Sequence, residues 1–526
     1  MSIMMTKAVD ASDALRVVGN KRLSAIYALG LFALFVLLHG VDMFHFCCVG
    51  DELRESMEDV PDIYIAQRRW GTAVWKLIFG YGYLPYLNVL VFSLISTAAV
   101  LFQLKLLEFK TLIAQIVYGL VYSACPVWFT LIGISHLADV FALSMLCSTM
   151  VVYALAQRDG IWSVLVACLF MLAAMSLYQT SVFYVATLWW AWYICRSVRV
   201  ADVSFWRESV KLVAAVVGGW GACYIVSCVL RRSGFASLET MHLIEHYQGH
   251  FSGGIRGLLS QPLPDLLVQL GGMMRAAISY AWGIKCVNGS TFSYAHLYYA
   301  GGGLMVLVCA FGWLRTRSVW AGGCLIIFVL SLLLLPYATY VISCGTMTNL
   351  RMYMATGVAV ACVWALGADN IARNGRAVRV LFMLLAVLMM KGLYAYTEAA
   401  RDRVWYAERT KVQFFNIRDA AHAVAQQENL SDYKVIWVGD SWEGKITPVS
   451  RALEMVDDSL LTGWVQPFAV KHFAAYYGCG HMEWAWSMPE DMEAHVRTMP
   501  VWPHPGSVQR WGQNIVVKVY QSTRDE

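Results

Sequence analysis

Charged side chains are scarce in this sequence of 526 residues. Asp, Glu, Lys and Arg together make up 14% of the chain, whereas 59% of the residues are apolar and the mean hydropathy is +0.54. This composition excludes an ordinary soluble protein and indicates an integral membrane protein with several spans. The net charge of +5 is small for the length and lies mainly in short loops, so a nucleic-acid partner is not expected.

Metal-binding cysteine patterns and internal repeats are also lacking. The 14 cysteines form no Cys-x-x-Cys pair and no zinc-type spacing, so we expect most of them to be small core residues. The sequence contains no internal repeat and no low-complexity linker. Their absence weakens the interpretation of the chain as a transporter built from duplicated halves.

Apolar runs and the positive-inside rule predict 11 membrane-spanning helices between residues 23 and 396. The predicted spans are 23–41, 85–104, 112–124, 131–154, 161–177, 181–194, 212–230, 292–313, 319–340, 352–366 and 380–396. The first span follows Lys21 and Arg22 and has no small-residue cleavage site behind it. We therefore expect residues 1–22 to lie in the cytoplasm.

Two long loops, 43–84 and 231–291, are then predicted on the outer side of the membrane. The second loop contains an apolar stretch, 264–284, that includes Arg275. Counting this stretch as a span would place the basic Arg315–Arg317 loop outside. We therefore expect a re-entrant or interfacial helix there.

Residues 397–526 have the mixed polarity of an extramembrane domain. "TKVQFFNIRDAAHAVAQQ" has an amphipathic helical period, and "YKVIWVGD" and "NIVVKVYQ" have the pattern of strands. The sequence therefore predicts an all-α polytopic membrane protein with a small C-terminal α/β domain on its outer side.

Polar side chains in or beside the membrane are candidates for function, because burying them in hydrocarbon is costly. Nearly all of the charged ones fall on the outer side of the predicted topology. The candidates are Asp51, Glu52, Arg68, Arg69, His136, Asp139, Tyr178, Gln179, Arg351 and Lys391. For a single loop residue, a solvated charge at the bilayer edge is the alternative. That alternative is weaker for His136, Asp139 and Lys391, which lie within apolar segments.

These residue types indicate a transfer reaction. A carboxylate can take a proton from an acceptor hydroxyl, and Asp51 or Glu52 is the candidate for this role. Cations stabilise the charge that develops on a departing phosphate. The candidate phosphate ligands are Arg68, Arg69, Arg351 and Lys391. A site of this kind that opens to the bilayer suits transfer of a group from a lipid phosphate.

Four stretches of the sequence carry a family resemblance. They are the acidic pair after the first span, "RRWGTAVWKLIFGYG", "ISHLADVFALSM" and "MSLYQTSVFYV". With these motifs the chain resembles, over most of its length, the bacterial Gtr-type O-antigen glucosyltransferases, which are membrane enzymes of the GT-C class. The resemblance implies transfer of glucose from undecaprenyl-phosphate glucose to a lipid-linked polysaccharide. The reaction would invert the donor anomeric carbon on the periplasmic side of the bacterial inner membrane.

The resemblance also implies roles for individual residues. Asp51 is the expected base, with Glu52 as its neighbour or substitute, and Arg69, Tyr178 and Gln179 match further family positions. The family commonly has two Asp where this chain has Asp51 and Glu52, so the division of labour between them stays open. No metal and no other cofactor is expected. The expected partners are the donor lipid, the lipid-linked acceptor, membrane lipids, a flippase and a donor-synthesising enzyme.

The outer loops contain further candidates for substrate binding. His242, Glu245 and His246 match the H-x-x-E-H spacing of an inverted zinc-protease motif, but no third ligand is evident. We expect these three residues to line the outer loop near the acceptor. Trp70 follows the arginine pair and is the aromatic candidate for stacking on a sugar.

A Gly-Asp-Ser triplet at residues 439–441 is typical of some serine hydrolases. Asp491 and His495 could supply an acid and a base, but their spacing does not match that family. We expect a strand that ends in a polar turn instead.

Two alternatives to a glucosyltransferase stay open at the level of sequence. The first is a transporter or flippase for a lipid-linked saccharide, which would need charges along a path at mid-membrane. The second is a GT-C enzyme with another sugar or acceptor.

Overall fold

The computed structural model gives a mostly helical chain. It describes residues 21–40, 61–79, 85–133, 135–157, 160–199, 205–235, 262–281, 294–316, 319–338, 353–425, 433–438, 470, 474, 479, 482–484 and 488–519.

Fifteen helices precede the sheet in the described part of the chain. The first ten are α1 (Lys21–His39), α2 (Pro61–Ala66), α3 (Trp70–Phe79), α4 (Pro85–Leu107), α5 (Leu112–Ser123), α6 (Val127–Gly133), α7 (Ser135–Gln157), α8 (Ile161–Leu177), α9 (Ser181–Arg199) and α10 (Phe205–Arg232). The next five are α11 (Leu263–Ala281), α12 (Tyr294–Thr316), α13 (Val319–Leu334), α14 (Thr356–Ile371) and α15 (Gly375–Val424). A 3₁₀ turn, Leu335–Tyr337, follows α13.

Six of these helices are long and apolar enough to cross a membrane. They are α1, α4, α7, α10, α12 and the first part of α15, and four shorter apolar helices accompany them at 112–123, 161–177, 322–337 and 356–371. The helix α11, predicted to be re-entrant or interfacial, is not among the six. Each of the 11 predicted spans overlaps a helix. The structure therefore agrees with a helical, multi-pass membrane protein.

A buried polar network lies inside the helix bundle. The side-chain amide of Gln103 on α4 donates to Thr149 Oγ1 at 3.0 Å and to Tyr184 OH at 2.7 Å, and its carbonyl accepts from Tyr118 OH at 2.8 Å. The network ties α4, α5, α7 and α9 together. Polar groups in an apolar interior are stable only when they satisfy one another in this way.

At each end of the bundle, residues that the sequence places on the same side of the membrane are in contact. At one end, called here the Asp369 end, the Asp369 carboxylate of α14 accepts hydrogen bonds from the backbone N–H groups of Lys110 and Thr111. These residues are all predicted to be cytoplasmic. At the opposite end, Tyr396 OH donates to the Cys125 carbonyl at 2.9 Å, and both residues are predicted to be outside.

The helix α15 is 50 residues long and runs across the predicted domain boundary at 396/397. It begins at the N-cap Asn374, whose side chain accepts from the backbone N–H groups of Arg376 and Ala377. No Gly or Pro occurs between Gly392 and Gly439, so nothing in the sequence interrupts the helix where its composition turns polar.

The C-terminal unit is a four-stranded sheet covered by helices. Its strands are β1 (Lys434–Val438), β2 (Met482–Trp484), β3 (Val508–Trp511) and β4 (Asn514–Lys518), and α16 (Glu490–Thr498) lies between β2 and β3 in sequence. The strand order is β2-β1-β4-β3, with β1 parallel to β2 and β4 and with β3 antiparallel to β4. Phe414 and Ile417 of α15 join the core around Trp437. The small sheet agrees with the strands predicted here, and "YKVIWVGD" and "NIVVKVYQ" contain β1 and β4.

Candidate functional site

The short helices α2 and α3 form one segment that docks against the turn between α8 and α9. The chain reverses between α2 and α3 at Arg68, whose φ of +62° is in the left-handed region. The backbone N–H of Arg69 then bonds to the Tyr64 carbonyl at 2.6 Å. A non-glycine residue rarely adopts this conformation unless the surrounding structure holds it. The turn gives two consecutive arginines different surroundings.

Arg69 fastens the α2–α3 segment to the Tyr178–Gln179 turn. Its guanidinium carbon lies 4.8 Å from the centroid of the Tyr178 ring, and its Nε donates to Gln179 Oε1 at 3.3 Å. The Gln179 amide donates in turn to the Gln67 carbonyl at 2.6 Å. Thr72 Oγ1 also donates to the Leu177 carbonyl at 3.0 Å. Three predicted site residues, Arg69, Tyr178 and Gln179, therefore lie in contact. Some of their hydrogen bonds hold the α2–α3 segment in place.

The close approach of the segment depends on Gly71. A Cβ at this position would overlap the Ser176 side chain of α8. The glycine in "RRWG" is thus required for contact between α3 and α8.

A buried ion pair joins α3 to α7. Lys76 Nζ lies 3.6 Å from Asp139 Oδ1, and both side chains are almost fully buried. Trp75 Nε1 donates to Asp139 Oδ2 at 2.6 Å, and the backbone N–H of Val140 donates to Asp139 Oδ1 at 2.9 Å. The carboxylate is thus held by two hydrogen-bond donors and one ion pair, as a buried charge requires.

The sequence predicts Asp139 as a site residue but does not predict Lys76 or Trp75. The signal for Lys76 was present, because it is the one charged residue within the apolar helix "WGTAVWKLIF". Trp75 had no comparable signal, since its role depends on a contact with a residue 64 positions away.

Arg68 has different surroundings from Arg69. Its guanidinium carbon lies 4.9 Å from the centroid of the Tyr224 ring on α10. Its Nε is buried and has no hydrogen-bond partner among the described residues. Arg68 therefore combines a positive charge with an unused donor, the combination expected of an anion-binding side chain. Tyr224 was not predicted from the sequence.

The remaining candidates are not all part of this arrangement. Trp70 packs against the core of the bundle. Lys391 lies on the exposed face of α15. His136 is on α7 one turn before Asp139, and its side chain is not described. The candidates outside the described residues are Asp51, Glu52, Arg351, His242, Glu245 and His246.

The described part of the C-terminal unit separates His495 from the strand end that precedes the Gly-Asp-Ser triplet. The His495 ring stacks on Trp511 with centroids 4.6 Å apart, and Trp511 pairs with Asn514 at the start of β4. The Gly-Asp-Ser triplet, itself outside the described residues, follows Val438, which pairs with Lys518 at the end of β4. Asn514 and Lys518 are four residues apart on β4, which corresponds to about 13 Å. Within the described part of the chain, no group of three or more His, Cys, Asp or Glu residues could hold a metal ion.

No protein-family model and no curated protein matches this sequence.

The polar residues of the α2–α3 segment lie beside an apolar surface that is suited to contact with the hydrocarbon of the bilayer. On α3, Lys76 and Thr72 are buried, whereas Val74, Leu77 and Ile78 are exposed. This is the reverse of a helix on a soluble protein, and it fits a helix whose outer face contacts lipid. The arrangement can hold an anionic head group beside cations while its apolar part stays in the bilayer.

Proposed function

We propose that the protein is an integral membrane glycosyltransferase. It transfers glucose from undecaprenyl-phosphate glucose to a lipid-linked O-antigen polysaccharide on the periplasmic side of the bacterial inner membrane. The observation that carries the proposal is that the α2–α3 segment carries Arg68, Arg69 and the buried Lys76–Asp139 ion pair next to the exposed apolar face of α3. A lipid phosphate is the substrate class that needs both surfaces at once.

The proposed reaction is an in-line displacement at the anomeric carbon. The acceptor hydroxyl oxygen attacks this carbon from the face opposite the phosphate, and its proton passes to Asp51. The bond between the anomeric carbon and the phosphate oxygen breaks, and undecaprenyl phosphate leaves with the electron pair. Arg68 stabilises the charge that develops on the leaving phosphate. The configuration at the donor carbon is inverted.

The proposal includes a topology of 11 spans with the α2–α3 segment and the C-terminal unit in the periplasm. The GT-C architecture suggested by the sequence motifs fits an active site at one end of the bundle. The one-sided cluster favours transfer over transport, because a transport path needs polar groups across the whole bilayer.

The test uses purified protein in lipid nanodiscs, radiolabelled undecaprenyl-phosphate glucose and a lipid-linked polysaccharide extract. We expect wild type to move the label into the glycan and Asp51→Asn to reduce the rate by about a hundredfold or more, as for loss of a general base. Glu408→Gln, on an exposed part of α15, is the control and is expected to keep full activity. Full activity of Asp51→Asn would remove Asp51 as the base. Absence of transfer by wild type, with label crossing the bilayer of sealed vesicles, would replace the enzyme by a flippase.

A further inference from the structure

The helix α10 has an exposed apolar face along most of its length. Residues on this face follow the i, i+4, i+7 spacing of one side of a helix. The face, called here the α10 stripe, consists of Trp206, Val210, Val213, Val217, Trp220 and Tyr224. It extends for about 27 Å at 1.5 Å per residue, which is close to the thickness of the hydrocarbon core.

The α10 stripe ends beneath Arg68. The guanidinium carbon is 4.9 Å from the centroid of the Tyr224 ring, and the Tyr224 and Trp220 rings are 6.2 Å apart. The charge of Arg68 therefore lies at the Tyr224 end of the α10 stripe. Arg68 also keeps a buried Nε without a hydrogen-bond partner among the described residues. A planar guanidinium with a free donor is well suited to a phosphate group.

We infer that the α10 stripe binds the hydrocarbon chain of a polyprenyl phosphate, with the phosphate on Arg68. This inference rests on the proposed function and names the lipid-binding surface of the same site. From Val213 to Tyr224 the stripe is about 16 Å long, about half the thickness of the hydrocarbon core. A single hydrocarbon chain lying along this part of the stripe places its head group next to Arg68.

Charge complementarity favours this occupant over a second copy of the chain. A helix from another protein molecule would bury the guanidinium against apolar side chains and leave its charge unpaired, which is costly. A single-chain lipid monophosphate supplies the anion and covers the apolar track. Diacyl phospholipids share the phosphate chemistry, so the experiment separates the two kinds of lipid by competition.

The experiment places a photo-crosslinking residue, p-benzoylphenylalanine, at Val217 in the full-length protein. The matched control is the same residue at Met383 on α15. The two native side chains are 59% and 61% exposed, and Met383 also lies near arginines, Arg376 and Arg379, which line one groove with it. The probe is radiolabelled undecaprenyl phosphate without sugar, in nanodiscs that contain an excess of phosphatidylglycerol.

We expect labelling at Val217 to exceed labelling at Met383 by about tenfold, and unlabelled polyprenyl phosphate but not added phosphatidylglycerol should reduce it. Arg68→Gln should lower the labelling at Val217 by about tenfold, because a hydrogen bond to a charged group is lost. Arg68→Lys should lower it less, since the charge is retained. If Arg68→Gln does not elute as a monodisperse protein, Tyr224→Leu is the second variant. It removes the aromatic ring beneath the guanidinium and keeps the arginine.

Equal labelling at the two positions would overturn the inference, as would equal competition by phosphatidylglycerol. Unchanged labelling in both Arg68→Gln and Tyr224→Leu would do the same. The outcome is independent of catalysis because the probe carries no sugar. Glucose transfer without selective labelling at Val217 would refute the α10 site and leave the proposed function intact. Selective labelling without glucose transfer would support a polyprenyl-phosphate site in a protein of another activity.

Discussion

Asp139 and Lys76 are the residues whose contribution to folding is easiest to separate from a role in catalysis. Each charge is buried and compensated by the other. Asp139→Asn removes one charge and leaves Lys76 in an apolar environment, so we expect a loss of about 3–5 kcal/mol of stability. The double variant Lys76→Met, Asp139→Asn removes both charges and should recover more than half of that loss.

Thermal unfolding in detergent measures this effect, with a thiol-reactive dye reporting exposure of buried cysteines such as Cys125 and Cys362. A double variant that is no more stable than Asp139→Asn would contradict the pairing. A double variant that is stable but inactive would assign the pair to the reaction.

Lys518 makes the stability of the C-terminal unit depend on pH. Its Nζ is buried and donates to the Met499 carbonyl at 2.8 Å and the Arg497 carbonyl at 3.2 Å, and burial lowers the pKa of the Lys518 ammonium from 10.5. In the window between the lowered pKa and 10.5, the unfolded state binds more protons than the folded state. Stability should therefore rise with pH through that window, and below it the cost of burying the charge is constant.

The measurement is hydrogen exchange of β4 in the full-length protein between pH 8 and pH 10.5, corrected for intrinsic exchange. We expect protection to increase with pH in wild type and in Lys434→Met, an exposed control on β1. The increase should be absent in Lys518→Met. The same pH dependence in Lys518→Met would show that another group is responsible.

At the scale of elements, helix packing depends on glycines at particular contacts. A Cβ at Gly301 on α12 would overlap the Trp364 ring of α14, whereas a Cβ at Gly303 on the same helix would meet nothing within 4 Å. We expect Gly301→Ala to cost about 1–3 kcal/mol through overpacking. Gly303→Ala should be neutral or stabilising by up to about 1 kcal/mol, because alanine favours the helix. Unfolding midpoints in the same detergent compare the two variants, and equal midpoints would be evidence against close packing of α12 on α14.

The elements were largely predictable from the sequence, and their contacts were not. Apolar runs identify helices such as α4 and α7 because hydrocarbon requires a minimum length of apolar residues. The continuity of α15 was missed, since polarity changes near Tyr396 while helix propensity does not. The contact of Arg69 with Gln179 joins residues 110 positions apart, and no local pattern specifies such a pair.

For the whole molecule, the position of α11 determines the predicted topology. If α11 does not cross the membrane, Phe235 and Ala281 lie on the same outer side and Thr316 lies in the cytoplasm. Alkaline phosphatase inserted after Phe235 or Ala281 should then be active, and the same insertion after Thr316 should be inactive. Activity after Phe235 and Thr316 but not after Ala281 would make α11 a true span and reverse every later loop.

The uninterrupted helix α15 has a mechanical consequence. About 25 Å of helix separates Thr397, the end of its apolar part, from Phe414, the first residue in the core of the sheet. A rigid helix of this kind sets the rotational phase of the C-terminal unit as well as its height above the bilayer, because each residue turns the helix by about 100°. Inserting two alanines after Arg401 would rotate the unit by about 200°, whereas inserting seven would restore its phase to within about 20° and raise it by about 10 Å. If the unit must face a fixed direction, the proposed glucose transfer will tolerate the longer insertion better than the shorter one, so that orientation rather than distance is what the helix transmits.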